Sequence, residues 1–293
     1  MRLSTCLVFL LLGLGLAKAA TAGDKPRPFA AFDMAGPSIL NDPFDLAFGP
    51  DGRLYVADKR GDRIAVLDPE TLTLVESVAS GQLPDVHDIS FSRNGAAAVA
   101  ATGLGAVLIF DRLEGDRPQA FDFLPASSTE GVLAHSNGRI YATTGTTGRL
   151  VAFQDGEEIG SVGGLFGTHD VAEAPDGTIW VACTRSRRLV KFSPDLKELQ
   201  VLDQPKFGFL APRYLDIDAL GRLVVADSDA QRVLLIDPDG PDGGTLLGVL
   251  GDGSPGAGAN KFANPEGVAI RGNDYYISDS GNNRIVRYTV VTN

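Results

Sequence analysis

Histidine occurs only three times in the 293 residues, at positions 87, 135 and 169. Two of the three stand in the same phrase. Val86-His87-Asp88-Ile89 and Thr168-His169-Asp170-Val171 each follow a histidine with an aspartate and then a β-branched residue. Neutral imidazole is a common ligand of catalytic metals, and a carboxylate often completes the set while leaving room for water or substrate. The carboxylate in the corresponding phrase near the C-terminus is Glu266, in Pro265-Glu266-Gly267-Val268. Zinc or another divalent ion on His87, His169 and Glu266 would act as a Lewis acid or lower the pKa of bound water. The aspartate after each histidine could orient it or serve a second ion.

These positions correspond because the chain repeats itself. Six copies of one pattern align at Phe44, His87, Glu130, His169, Arg213 and Glu266, with steps of 43, 43, 39, 44 and 53 residues counted from those positions. Each copy reads as short apolar strand, Gly-containing turn, strand, polar loop, strand, and then a weaker outer strand. A period near 40–45 residues built of short strands signals a propeller blade. The spacing therefore predicts an all-β, six-bladed β-propeller with blades at about 42–80, 86–126, 129–164, 168–206, 212–251 and 265–293. The sixth copy stops at its third strand. Residues 28–34 have no blade of their own and are expected to pair there, closing the ring and removing an open edge.

Pro-x-Gly-Val-Ala, then Asp-Gly-x-Leu/Ile-Tyr-Val-Ala-Asp, then Asn-Arg-Ile is a pattern that resembles NHL repeats. The sixth copy is nearest to it, with Asn264-Pro265-Glu266-Gly267-Val268-Ala269 followed by Tyr276-Ile277-Ser278-Asp279 and Asn283-Arg284-Ile285. The resemblance spans about residues 28–293. It implies the fold and leaves function open, since NHL propellers include peptide and RNA binders, scaffolds and a few enzymes. One enzyme branch, the peptidyl-α-hydroxyglycine amidating lyases, is similar at two positions. Those lyases hold zinc with three histidines from alternate blades. His87 and His169 match two of them, and Glu266 departs from the third. The lyases also use Arg and Tyr, for which Arg213 and Tyr214 are the candidates here.

In a propeller the loop before each innermost strand rims the central channel. The mouth is thus expected to carry Phe44, Asp45, Asp88, Glu130 and Asp170 as binding residues beside the metal and catalytic candidates. The favoured reading is a binding module that takes a peptide, glycan or protein partner at the mouth. The alternative is a metal-dependent lyase or hydrolase using His87, His169 and Glu266. Calcium is a weaker expectation, at Asp237, Asp239 and Asp242 in an outer turn. Residues 251–260 form the longest insertion and could cover the mouth or merely link blades. His135 falls in a turn on the opposite face and is expected at the surface.

Other repeated polar positions read as structural. Asp58, Asp227 and Asp279 end second strands and should accept hydrogen bonds from loop N–H groups. Arg63, Arg149, Arg188, Arg232 and Arg284 begin third strands and are expected to pair with those acids. Cys183 stands where other copies carry the acid and reads as a buried inert thiol.

Charge and the N-terminus narrow the setting. Lys+Arg 26 against Asp+Glu 37 gives a net charge of -11, which repels phosphate backbones and argues against nucleic acid as a partner. Residues 6–16 are an apolar run too short to span a bilayer of about 30 Å. Small residues follow at Ala17, Ala19, Ala20 and Ala22. Residues 1–22 are therefore expected to be a cleaved signal peptide, placing the protein in the periplasm or outside the cell. No later run is long and apolar enough for a membrane span.

Overall fold

The computed structural model describes residues 25–292. The expected signal segment, residues 1–22, lies outside the described residues. Strand β1 (Phe29–Ala35) comes first and is set aside by the chain until the end of the ring. The first blade is β2 (Pro43–Phe48), β3 (Leu54–Asp58), β4 (Arg63–Leu67) and β5 (Leu74–Val78). The second is β6 (Val86–Phe91), β7 (Ala97–Ala101), β8 (Ala106–Phe110) and β9 (Asp122–Pro125). The third is β10 (Thr129–Ala134), β11 (Ile140–Thr144), β12 (Arg149–Gln154) and β13 (Glu157–Val162). The fourth is β14 (Thr168–Glu173), β15 (Ile179–Cys183), β16 (Arg188–Phe192) and β17 (Glu198–Asp203). The fifth is β18 (Pro212–Ile217), β19 (Leu223–Asp227), β20 (Arg232–Asp237) and β21 (Thr245–Leu250). The sixth is β22 (Pro265–Arg271), β23 (Asp274–Asp279) and β24 (Arg284–Val291), with β1 as its outermost strand. The molecule is a six-bladed β-propeller of four-stranded antiparallel blades.

The hydrophobic core is divided among six seams between neighbouring blades. Side chains alternate along a strand, so the fourth residue from the end of each second strand points into the seam shared with the next blade. Four blades fill that position with Tyr55, Tyr141, Trp180 or Tyr276, all buried. The fifth has Val224, and Tyr275 from the sixth blade fills the same seam from the other side. The second blade has Ala98.

Buried polar groups tie the inner strands around the ring. The Val132 N–H donates to Asp88 Oδ2 at 2.5 Å, the Leu215 N–H to Asp170 Oδ2 at 2.7 Å and the Ile270 N–H to Asp216 Oδ2 at 2.9 Å. Each bond links an inner strand to the next and satisfies a buried donor. The expected loop anchors are also present. Asp58 accepts from Asn41 N, Asp227 from Leu210 N and Ala211 N, and Asp279 from Ala263 N. Arg63, Arg232 and Arg284 pair with those three acids at 2.7, 2.9 and 2.9 Å. Arg149 and Arg188 do not follow, because their blades end the second strand with Thr144 and Cys183. Arg149 turns to Glu158, and Arg188 donates to the Gly164 carbonyl.

Three loop expectations resolve. Lys25 Nζ lies 2.8 Å from Asp237 and 3.1 Å from Asp239, so an ammonium occupies the outer turn considered for calcium. The insertion at residues 251–260 neither covers the mouth nor hangs free. Its carbonyls at Gly256, Ala257 and Ala259 accept from Asn282, Arg284 and Tyr288, which pins it along the sixth blade. His135 lies on the opposite face but is buried, 4% exposed, with Nε2 3.0 Å from the Gly177 carbonyl of the next blade. A turn residue is normally solvated, but here the adjacent blade covers it.

Candidate functional site

The inner strands start at the mouth, and their first residues converge there. Gly131 and Gly267 make the convergence possible. A Cβ on Gly131 would run into the His169 carbonyl, and one on Gly267 into the Phe44 carbonyl. The two glycines therefore let the following inner strand approach closely enough to set His169 and Phe44 in the ring.

Tyr214 closes the channel. It stands on the fifth blade, is fully buried, and reaches across to the second, where its hydroxyl donates to the His87 carbonyl at 3.4 Å. Its ring packs edge-on against Phe44 at 6.0 Å and His169 at 6.2 Å between centroids. Phe44 in turn meets the His87 ring edge-on at 4.8 Å and lies under Lys59 Nζ at 4.2 Å. These aromatics pack together across the channel and close it beneath the mouth, and the polar surface above them is the cup.

His87 and Glu130 form one wall. His87 Nδ1 lies 2.8 Å from the Asp85 carbonyl and 2.7 Å from Thr102 Oγ1. A carbonyl can only accept, so Nδ1 carries the proton and Nε2 presents a lone pair. Glu130 Oε2 is 3.1 Å from that nitrogen. Burial holds the His87 pKa down to about 4 and pushes the Glu130 carboxyl up to about 7. Near neutral pH, Glu130 can therefore donate its proton to Nε2. His169 has the same tautomeric cue, with Nδ1 3.2 Å from the Thr168 carbonyl, and burial and Arg213 hold it down to about 3.

Arg213 and Glu266 form another wall, with Nη1 and Oε1 3.1 Å apart. Ser228 donates to the same Oε1 at 3.2 Å, and Oε2 is buried without a partner. Burial pushes this carboxyl up to about 7, although Arg213 and the Ser228 bond oppose the shift. His87, His169 and Glu266 thus share the cup, but they do not fit a zinc ion as arranged. A guanidinium stands against Glu266, His87 Nε2 faces Glu130, and the described residues contain no group of three or more His, Cys, Asp or Glu side chains placed to hold a metal ion.

The second register position lies deeper. Asp45, Asp88 and Asp170 are buried below the floor and line a cavity of about 270 Å³ with residues from all six inner strands. Burial holds all three carboxyls above the ordinary range, and the neighbouring Asp88 charge adds to the rise at Asp45. The binding set expected at one mouth therefore splits. Phe44 and Glu130 face the cup, while the three aspartates belong to the interior. Sequence reasoning missed Lys59 and Thr102. Both precede third strands, in the polar loops that also rim the mouth.

Comparison with known proteins agrees with this architecture. Residues 262–288, within the sixth blade, match the family model described as NHL repeat. No curated protein matches the chain. Among solved structures, the virginiamycin B lyase from Staphylococcus aureus is similar, at 11% identity and a TM-score of 0.61, covering 91% of this chain and 99% of that one. The PQQ-bound aldose sugar dehydrogenase from Streptomyces coelicolor is similar at 14% identity and 0.65, covering 91% and 99%. The β-propeller domain of Cps50 (Swd1) from Myceliophteria thermophila is similar at 14% and 0.63, covering 90% and 100%. At such identities the likeness is one of fold.

Proposed function

We propose that this chain, which belongs to the NHL-repeat β-propellers, is an exported binding module whose cup above Tyr214 takes a peptide segment bearing a carboxylate. The observation that carries this reading is the closure of the channel by Tyr214 and Phe44 beneath ionisable side chains from several blades. Ionisable side chains from several blades converge on this closed mouth, as the polar groups of a ligand site do. Arg213 and Lys59 are partly exposed cations at its rim, and an arginine can grip a carboxylate through two parallel bonds. The Glu130–His87 pair can give or take a proton as a ligand group settles. Export is read from the apolar run at residues 6–16, and among the described residues no helix is long and apolar enough to cross a membrane.

The test is fluorescence polarisation with labelled acidic peptides and their amidated counterparts. Saturable binding is expected, weakened roughly tenfold by Arg213→Ala, which corresponds to about 1.4 kcal/mol. Binding that ignores both amidation and Arg213→Ala would overturn the reading. Metal content of the untagged protein is measured alongside. About one zinc per chain, lost in His87→Ala/His169→Ala, would replace the binding module with a metal-dependent lyase or hydrolase.

A further inference from the structure

The seam between the second and third blades is underfilled, and the deficit has a definite shape. Tyr141 shows what the position normally holds. Its ring lies buried in the seam between the third and fourth blades, its hydroxyl donates to the Pro194 carbonyl at 2.7 Å, and Asn137 Nδ2 donates to it at 3.2 Å. One blade earlier the same position is Ala98. The third-blade residue equivalent to Tyr275 is Ile140, which lacks the ring that Tyr275 sets opposite Val224. A cavity of about 380 Å³ opens there, with Ala98, Ile109, Leu124 and Phe153 among its walls. Sites for small organic molecules run to about 300–1,000 Å³, with mostly apolar walls and a few polar groups.

The polar groups are also the ones a hydroxyl needs. Asn94 occupies the turn position that Asn137 occupies in the next blade, and it lines the cavity. Its Oδ1 accepts from Ala96 N at 3.3 Å, just as Asn137 Oδ1 accepts from Arg139 N at 2.9 Å. That leaves the Asn94 amide N–H groups available for a ligand oxygen. The β12–β13 turn at Asp155 and Gly156 lines the cavity where the Pro194 turn meets the Tyr141 hydroxyl. We propose that this seam is a binding site for a small phenol, which takes the place that the Tyr141 side chain takes in the next seam. The site lies at the end of the blades opposite the cup and does not depend on the cup's function.

The probe is p-cresol, the tyrosine side chain as a free molecule. Its binding to the protein is followed by ligand-observed NMR and calorimetry. One saturable site is expected. Ala98→Tyr should weaken it by at least about tenfold and raise the thermal midpoint, because the new ring fills the cavity covalently. Asn94→Ala should weaken p-cresol severalfold and leave toluene unchanged. Tyr214→Ala should leave p-cresol binding intact, which separates this site from the cup. Ala98→Leu supplies the same readout if the tyrosine variant does not fold. The proposal is overturned if the wild-type protein shows no saturable binding, or if binding persists undiminished in the folded Ala98 variant.

Discussion

The hydroxyl of Tyr214, on the fifth blade, donates to the main-chain carbonyl of His87, on the second, 3.4 Å away. These blades face each other across the ring, so one side chain both plugs the channel and fixes the strand that presents His87. The bond is long, and its loss in Tyr214→Phe should cost about 0.5 kcal/mol, the low end for a neutral hydrogen bond. Tyr214→Ala removes the ring as well and should cost about 3–5 kcal/mol, as for other buried aromatics. Urea unfolding of both variants checks this. A Tyr214→Ala protein as stable as Tyr214→Phe would mean that the ring is not a packed floor.

The buried carboxyls make stability depend on pH in a definite direction. Burial holds Asp45, Asp88 and Asp170 above the ordinary range, with Asp88 pushed up to about 6. The folded protein keeps protons that the unfolded chain has released. Stability from this source is complete below about pH 4 and falls as the pH rises through about 6. His87 and His169 act oppositely, since burial holds them down to about 4 and about 3. Their contribution is complete above about pH 6.5 and is lost as the pH falls through those lower values. Asp45→Asn is nearly isosteric and removes one buried charge beside Asp88. At pH 8 the variant should be more stable than the wild type. The gap should close by pH 4. Urea midpoints at the two pH values decide, and an equal gap at both would refute the buried-charge account.

The repeat makes most of this molecule legible in the sequence. Equivalent register positions brought Phe44, His87, Glu130, His169, Arg213 and Glu266 to one mouth, because a closed ring must superpose its copies. The repeat could not say which neighbours would pair. Tyr214 reaches across to His87, and Arg213 settles on Glu266, because side-chain length and rotamer decide such contacts. Alternation along β2, β6 and β14 also separates Asp45, Asp88 and Asp170 from the residues just before them, so consecutive positions face different spaces. The exceptions to the repeat were the most informative and the easiest to pass over. Ala98 among large residues marks a cavity, and Thr144 and Cys183 in place of Asp redirect Arg149 and Arg188.

Cys183 should be chemically silent in the folded protein. It is 0% exposed, and burial pushes its thiol up to about 12. At pH 8 that leaves about one part in ten thousand as thiolate, the reactive form. In a Cys6→Ser chain, a disulfide reagent should leave the native protein unlabelled and modify it fully in urea. Labelling within minutes without denaturant would show a reactive thiol instead.

The closing strand should be the ring's point of greatest vulnerability. β1 pairs with β24 from Phe29↔Val291 to Ala35↔Val286. Arg287 then ties this edge in both directions, 2.6 Å from Asp33 of β1 and donating to the Pro69 carbonyl of the first blade at 2.9 Å. A chain beginning at Pro37 loses every one of the β1 pairings and leaves β24 as an open edge, which invites intermolecular pairing. Its melting midpoint should fall by more than about 5 °C, since each kcal/mol is worth about 2–4 °C at this size. Light scattering should show association. A synthetic peptide of residues 28–36 should bind the truncated chain and raise its midpoint again. A truncated chain that stays monomeric with an unchanged midpoint would show that the ring does not depend on this strand for closure.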